Sequence, residues 1–213
     1  KYPIIACAMD NGLTRLYDLR EKVHLHALES SYKFDVKVTE WSPDSEYLIA
    51  CGDTEGHLML YDTRQMREPY EYRWWSLEID DGSDSTAHDS SIVGMSFSPS
   101  GRTIFTLDED KYLRQWDVDT GLTTAFEVKM KSIYKRNRRI GICVTENNDI
   151  FVPDDNSIVN VLKKEKMVGH TQNVTAVTTN LDGFVSTGQD GFVCVWRKSN
   201  EIQIENDVSD WSD

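Results

Sequence analysis

Two segments of this chain close on the same five-residue pattern, Leu16-Tyr17-Asp18-Leu19-Arg20 and, 44 residues later, Leu60-Tyr61-Asp62-Thr63-Arg64. The pattern returns in shorter form as Gln115-Trp116-Asp117 and Val195-Trp196-Arg197. A period of about 40–45 residues that ends on an aromatic-Asp pair restricts the chain to repeated units of antiparallel strands, each burying its faces against its neighbours.

Within one period the pattern is that of strands and tight turns. Val36 to Trp41 alternates apolar and polar residues, Ser42-Pro43-Asp44-Ser45 turns, and Tyr47 to Cys51 forms a second strand. Asp53-Thr54-Glu55-Gly56 turns again into His57 to Tyr61. The next period repeats the plan with Ile92 to Phe97, Thr103 to Leu107 and Tyr112 to Trp116. A fourth unit, Gly141 to Val144, Ile150 to Val152 and Ser157 to Leu162, lacks the Trp-Asp pair; the fifth, from Val174 to Trp196, restores the Trp. Helical periodicity is absent. These features predict an all-β WD-repeat β-propeller. Its blades end near residues 20, 64, 117, 162 and 197, and an acidic tail over 198–213 is expected to be disordered. Pro3 to Met9 and Leu13 to Asp18 read as the second and third strands of a blade without its innermost strand. The chain is therefore expected to be about four and a half blades of a ring that most often has about seven, the C-terminal part of a longer protein.

Composition narrows the function classes. With 23 Lys and Arg against 36 Asp and Glu, the net charge of -13 repels a phosphate backbone, so direct sequence-specific nucleic-acid binding is not expected. No apolar run reaches membrane length, and neither a membrane span nor a secretory signal is expected. Cys7, Cys51, Cys143 and Cys194 show no metal-ligand spacing and each falls within a predicted strand, which reads as core cysteines of a reduced, intracellular protein without metal or cofactor. The sequon at Asn173-Val174-Thr175 is then a chance match.

The spacings of His88 with Asp110 and Trp116, and of His170 with Asp190 and Trp196, suit a hydrogen-bond chain from an inter-blade His to a turn Asp and a third-strand Trp. Buried polar groups need partners, so these residues are assigned to blade stiffening and not to catalysis. Arg20 and Arg64 follow their Asp by two positions, near one rim on adjacent blades. Each either pairs with a nearby carboxylate or presents its planar fork to a flat protein partner. Lys129, Lys131, Lys135, Arg136, Arg138 and Arg139 form a basic stretch, read either as a solvated loop or as a local nucleic-acid or import patch. Tyr70 to Trp75, followed by acidic Asp80 to Ser85, reads as a surface loop whose Trp74 and Trp75 either pack on the blade or form a contact hot spot. The tail around Trp211 reads as disordered or as a docking peptide.

Taken together, these residues resemble the Cockayne syndrome group A family of WD-repeat proteins. The resemblance rests on Asp18/Arg20 and Asp62/Arg64, Glu40-Trp41-Ser42-Pro43, Thr86-Ala87-His88, the Trp-less unit with Ile150-Phe151-Val152-Pro153, Gly169-His170 and the acidic tail. It implies a nuclear, non-enzymatic substrate receptor of a cullin-4 ubiquitin ligase. Such a receptor bridges the damaged-DNA-binding adaptor to RNA polymerase II and its repair factors in transcription-coupled nucleotide excision repair. It also implies adaptor docking by Arg20 and Arg64, with Asp18 and Asp62 in support. The alternative is a WD-repeat scaffold in another nuclear complex, of chromatin or RNA processing. A propeller hydrolase would need a nucleophile-base pair, a metal cluster or a phosphate loop, none of which the sequence displays.

Overall fold

The computed structural model describes residues 3–20, 23–29, 32–67, 71–77, 86–131, 139–180 and 183–197. They form five antiparallel sheets in which strands pair in chain order. The first holds β1 (Ile4–Ala8), β2 (Leu13–Asp18) and β3 (Val23–Glu29). The second holds β4 (Val36–Trp41), β5 (Leu48–Asp53), β6 (Leu58–Arg67) and β7 (Glu71–Leu77). The third comprises β8 (Ile92–Phe97), β9 (Thr103–Asp108), β10 (Tyr112–Asp117) and β11 (Thr123–Lys129). The fourth comprises β12 (Cys143–Val144), β13 (Ile150–Asp154), β14 (Ser157–Asn160) and β15 (Glu165–Val168). The fifth contains β16 (Val174–Asn180), β17 (Gly183–Gly188) and β18 (Val193–Arg197).

Leading strands of consecutive sheets pack in series, β1 on β4, β4 on β8, β8 on β12 and β12 on β16. This is the radial stacking of propeller blades, and the hydrophobic core lies between blades. Val38, Leu58 and Leu60 meet Ile92, Met95 and Trp116, while Leu107 and Leu113 meet Ile142 and Val152. Leu16 and Leu28 pack with Ile49, Met59 and Tyr61, and Phe151 with Val174 and Phe184. The faces between blades are apolar because each is covered by its neighbour, so no single blade could bury its own surface.

Three expectations change. Glu71–Leu77 is not a surface loop: it is the outer strand of the second blade, with Trp74 opposite Tyr61 and Trp75 opposite Leu60. The acidic residues 80–85 and the tail 198–213 lie outside the described residues. The fourth blade gains β15, whereas its inner strand shrinks to two residues and β14 ends at Asn160, two before Leu162. Pro153 in β13 lacks an amide hydrogen, and the β12–β13 ladder stops after Phe151, short of it. Gly141, expected in that strand, instead bridges to Ala176 of the fifth blade, donating to the Thr175 carbonyl and accepting from the Val177 amide.

Candidate interaction rim and blade networks

In the second blade β4, β5 and β6 run in alternate directions, so the end of β4 and the closing Asp62 of β6 reach the same rim. There the β6–β7 ladder slips between Asp62 and Met66, leaving Arg64 in a bulge. A bulge re-aims the side chain that occupies it. The Asp62 carboxylate fixes the new direction by accepting from the Arg64 amide and Nε at 3.0 Å each, and from Nη2 at 2.6 Å. The guanidinium lies 5.1 Å from the centre of the Tyr47 ring. Hydrogen bonding to Asp62, then its charge, raises the Arg64 pKa above the ordinary arginine value. Asp18 repeats the arrangement more loosely, accepting from the Arg20 amide at 2.8 Å and Nη2 at 3.5 Å.

The two pairs share a division of labour. Asp18 and Asp62 are buried, whereas the Arg20 and Arg64 side chains are each 59% exposed. A buried carboxylate thus holds an exposed planar cation, whose rotamer entropy is already spent before any partner arrives. Leu19 and Tyr47 are exposed beside them, adding apolar area that the sequence pattern does not flag. The third blade breaks the series. Asp117 accepts from the Thr120 amide and hydroxyl, and these hydrogen bonds lower its pKa.

The His networks lie within the blades. His170 shares Nδ1 with Asp190 at 3.0 Å and Nε2 with the Ser186 hydroxyl at 2.8 Å, and Trp196 Nε1 donates to the same hydroxyl at 2.8 Å. Burial pushes the Asp190 pKa up, but hydrogen bonds from the Phe192 and Thr171 amides and from His170 outweigh it and bring it to about 2. His88 differs from expectation. Its Nδ1 partner is Asp108 at 2.8 Å, not Asp110, which is exposed at the turn. His88 Nε2 and Trp116 Nε1 converge on Thr106 at 2.6 and 2.8 Å.

The reason is positional. Asp108 opposes Ile92 and Gly188 opposes Val174 at the same step of the blade. Gly188 brings no carboxylate, and any Cβ there would approach His170 Nδ1 at 2.5 Å, so the acid is supplied two residues later by Asp190. Where the equivalent residue is already Asp, the later one is displaced to solvent. Desolvation lowers the His88 pKa despite Asp108, as expected of a neutral, structural imidazole.

Of the basic stretch, Lys135, Arg136 and Arg138 lie outside the described residues. Arg139 is 3.7 Å from Glu40, and Lys129 donates to the Tyr112 hydroxyl at 3.0 Å. All four cysteines are free thiols, and burial pushes Cys51 up to about 11 and Cys143 up to about 12. Among the described residues no group of three or more His, Cys, Asp or Glu could hold a metal ion, and no helix is long and apolar enough to cross a membrane.

Five radially stacked antiparallel sheets, the first three closed by aromatic-Asp strand ends and the third and fifth tied by His-Asp-Trp chains, have the fold of a partial WD-repeat β-propeller. The family model for the WD domain, G-beta repeat, matches residues 83–117, which hold the first three strands of the third blade, and 162–197, which hold β15 of the fourth and the whole fifth sheet. The chain is similar to DDB1- and CUL4-associated factor 13 of Danio rerio, 25% identical over 118 residues, covering 55% of this chain and 23% of that protein. It is similar to small ribosomal subunit protein RACK1 of Schizosaccharomyces pombe, 27% identical over 109 residues, 51% of this chain and 32% of the relative. Antiviral protein SKI8 of Saccharomyces cerevisiae is 27% identical over 129 residues, 55% of this chain and 31% of the relative. The chain therefore matches about a quarter to a third of the length of these relatives.

Proposed function

We propose that this chain is part of a non-enzymatic substrate receptor of a cullin-4 ubiquitin ligase that docks on the damaged-DNA-binding adaptor through Arg20 and Arg64. One observation carries the reading: in two consecutive blades a buried Asp holds an exposed Arg on the same rim. Similarity to a protein named as a DDB1- and CUL4-associated factor supports it. Arg is enriched where interface energy concentrates, and a clamped guanidinium loses little freedom on binding. The resemblance to the Cockayne syndrome group A family supports the finer reading: a nuclear receptor acting at stalled RNA polymerase II in transcription-coupled repair.

Recovery of the adaptor with the full-length protein should fall about tenfold or more in the Arg20→Ala plus Arg64→Ala variant while the melting temperature stays within about 2 °C. Unchanged recovery would remove these residues from the interface. A second reading, a scaffold in another complex, is supported by the similar identity to RACK1 and SKI8. Partners recovered from cells after transcription-blocking damage separate the two: ligase and polymerase subunits for the first, an undamaged constitutive assembly for the second.

A further inference from the structure

A cleft of about 1510 Å³ opens across the second to fifth blades, from the rim on which Trp41 ends β4 to Trp196 of β18, carrying Glu40, Trp41, Pro43, Phe97 and Arg139 on its wall. Glu40 holds its cation more loosely than the buried aspartates, of which Asp154 and Asp18 have theirs at 3.2 and 3.5 Å. Asp53, Asp62 and Asp108 each hold a cation or imidazole at 2.8 Å or closer. Glu40, with 29% of its side chain exposed, accepts from the Phe97 amide but has its cation, Arg139, only at 3.7 Å, on a side chain itself 54% exposed. A desolvated carboxylate that lacks a close counter-charge gains strongly from one that arrives with a partner. The surroundings fit such an arrival. Glu146 and Glu165 add exposed carboxylates to the cleft, its one lysine, Lys163, is already bound to Asp149 at 2.7 Å, and the exposed Arg197 lies at its far end on β18.

We propose that this cleft receives an arginine side chain of a partner protein, its guanidinium pairing with Glu40 in place of the loosely held Arg139 and its stem lying along Trp41, Pro43 and Phe97. Arg suits the site better than Lys because its flat, weakly hydrated fork pairs with a carboxylate through two bonds while stacking on aromatic and prolyl faces. The inference does not rest on adaptor docking. It concerns Glu40 near the end of β4, whereas Arg20 and Arg64 follow the closing Asp18 of β2 and Asp62 of β6 and do not line the cleft.

The test uses full-length protein carrying 5-fluorotryptophan, with the Trp41 fluorine signal identified by its loss in Trp41→Phe. The probes are acetyl-Gly-Arg-Gly-amide and its neutral citrulline counterpart. The Arg peptide should move the Trp41 signal saturably, with a midpoint about tenfold below that of the citrulline peptide. Glu40→Gln should abolish the difference between peptides. Arg139→Gln, which removes the resident competitor, should tighten the Arg peptide at least about twofold, and Glu146→Gln should leave it within about twofold. Equal response to both peptides, no saturable response, or discrimination that survives Glu40→Gln would overturn the proposal. Because Arg139→Gln is expected to gain binding, a merely misfolded variant cannot mimic the result.

Discussion

Asp53 and Asp108 stand at the same step of adjacent blades, yet they choose different imidazoles. Asp53 takes His57 of its own turn at 2.8 Å, with Tyr32 stacked on that ring at 3.8 Å. Asp108 takes His88 from the inter-blade connection, and its other oxygen accepts from the Tyr112 amide. Removing it would strand His88 Nδ1 in a fully buried site. Asp108→Ala should therefore lower unfolding stability by about 2–3 kcal/mol, whereas exposed Asp110→Ala should stay within about 0.5 kcal/mol, as read from urea midpoints. Counting back from the Trp finds the acid of the fifth blade but misses that of the third, because both spacings end on an Asp and only the strand register tells which one faces the His. Glu40 was equally invisible, since its partners come from outside its own blade: the Phe97 amide of β8 and the Arg139 guanidinium. Burial raises its pKa from the usual carboxylate value to about 7, with Arg139 and the Phe97 amide opposing. The folded state thus holds a proton there that the unfolded chain releases near pH 4.5, and the Glu40 contribution to stability is lost as pH rises through about 7. Glu40→Gln should be more stable than the parent at pH 8, and the gap should close as pH falls toward 4.5.

The fourth blade shows how much a strand owes to its neighbours. β12 pairs only through Cys143 and Val144, and the inner edge continues as Gly141, bonded across to the fifth blade. A Cβ on Gly141 would meet the Ala176 Cβ at 2.6 Å, closer than side chains approach one another. Gly141→Ala should therefore destabilise by about 1–3 kcal/mol. Ala176→Gly in the same chain should recover part of that loss, giving a coupling of about 0.5–1.5 kcal/mol in a double-mutant cycle of urea midpoints. Additive effects would show that the two inner strands do not bear on each other. Alternation made β4, β5, β8 and β9 readable, since one or both faces lie between blades. It did not reveal outer strands such as β7, β11 and β15, whose mixed composition is shared by loops. β11 alternates only between half-covered and exposed positions. Those strands form because the preceding one offers an unpaired edge, a property of the assembled sheet.

At the scale of the whole molecule, charge is the deciding quantity. A net charge of -13 sets a repulsive field for nucleic acid, against which the basic stretch from Lys129 to Arg139 can act only locally. Part of that stretch is already engaged: Lys129 is held by the Tyr112 hydroxyl and lies 4.5 Å from the centre of its ring, and Arg139 faces Glu40. Few cations remain to displace counterions, so the salt slope of any binding should correspond to no more than about four phosphates. A fluorescent duplex of mixed sequence should bind more weakly than about 10 μM at 150 mM salt and about as weakly when the sequence is shuffled. Neutralising Lys135, Arg136, Arg138 and Arg139 should remove what binding remains at low salt. Tight binding at 150 mM salt that survives those four substitutions would place a nucleic-acid surface elsewhere on the ring. It would also favour an RNA-processing or chromatin scaffold over a ligase receptor that meets damaged DNA only through its protein partners.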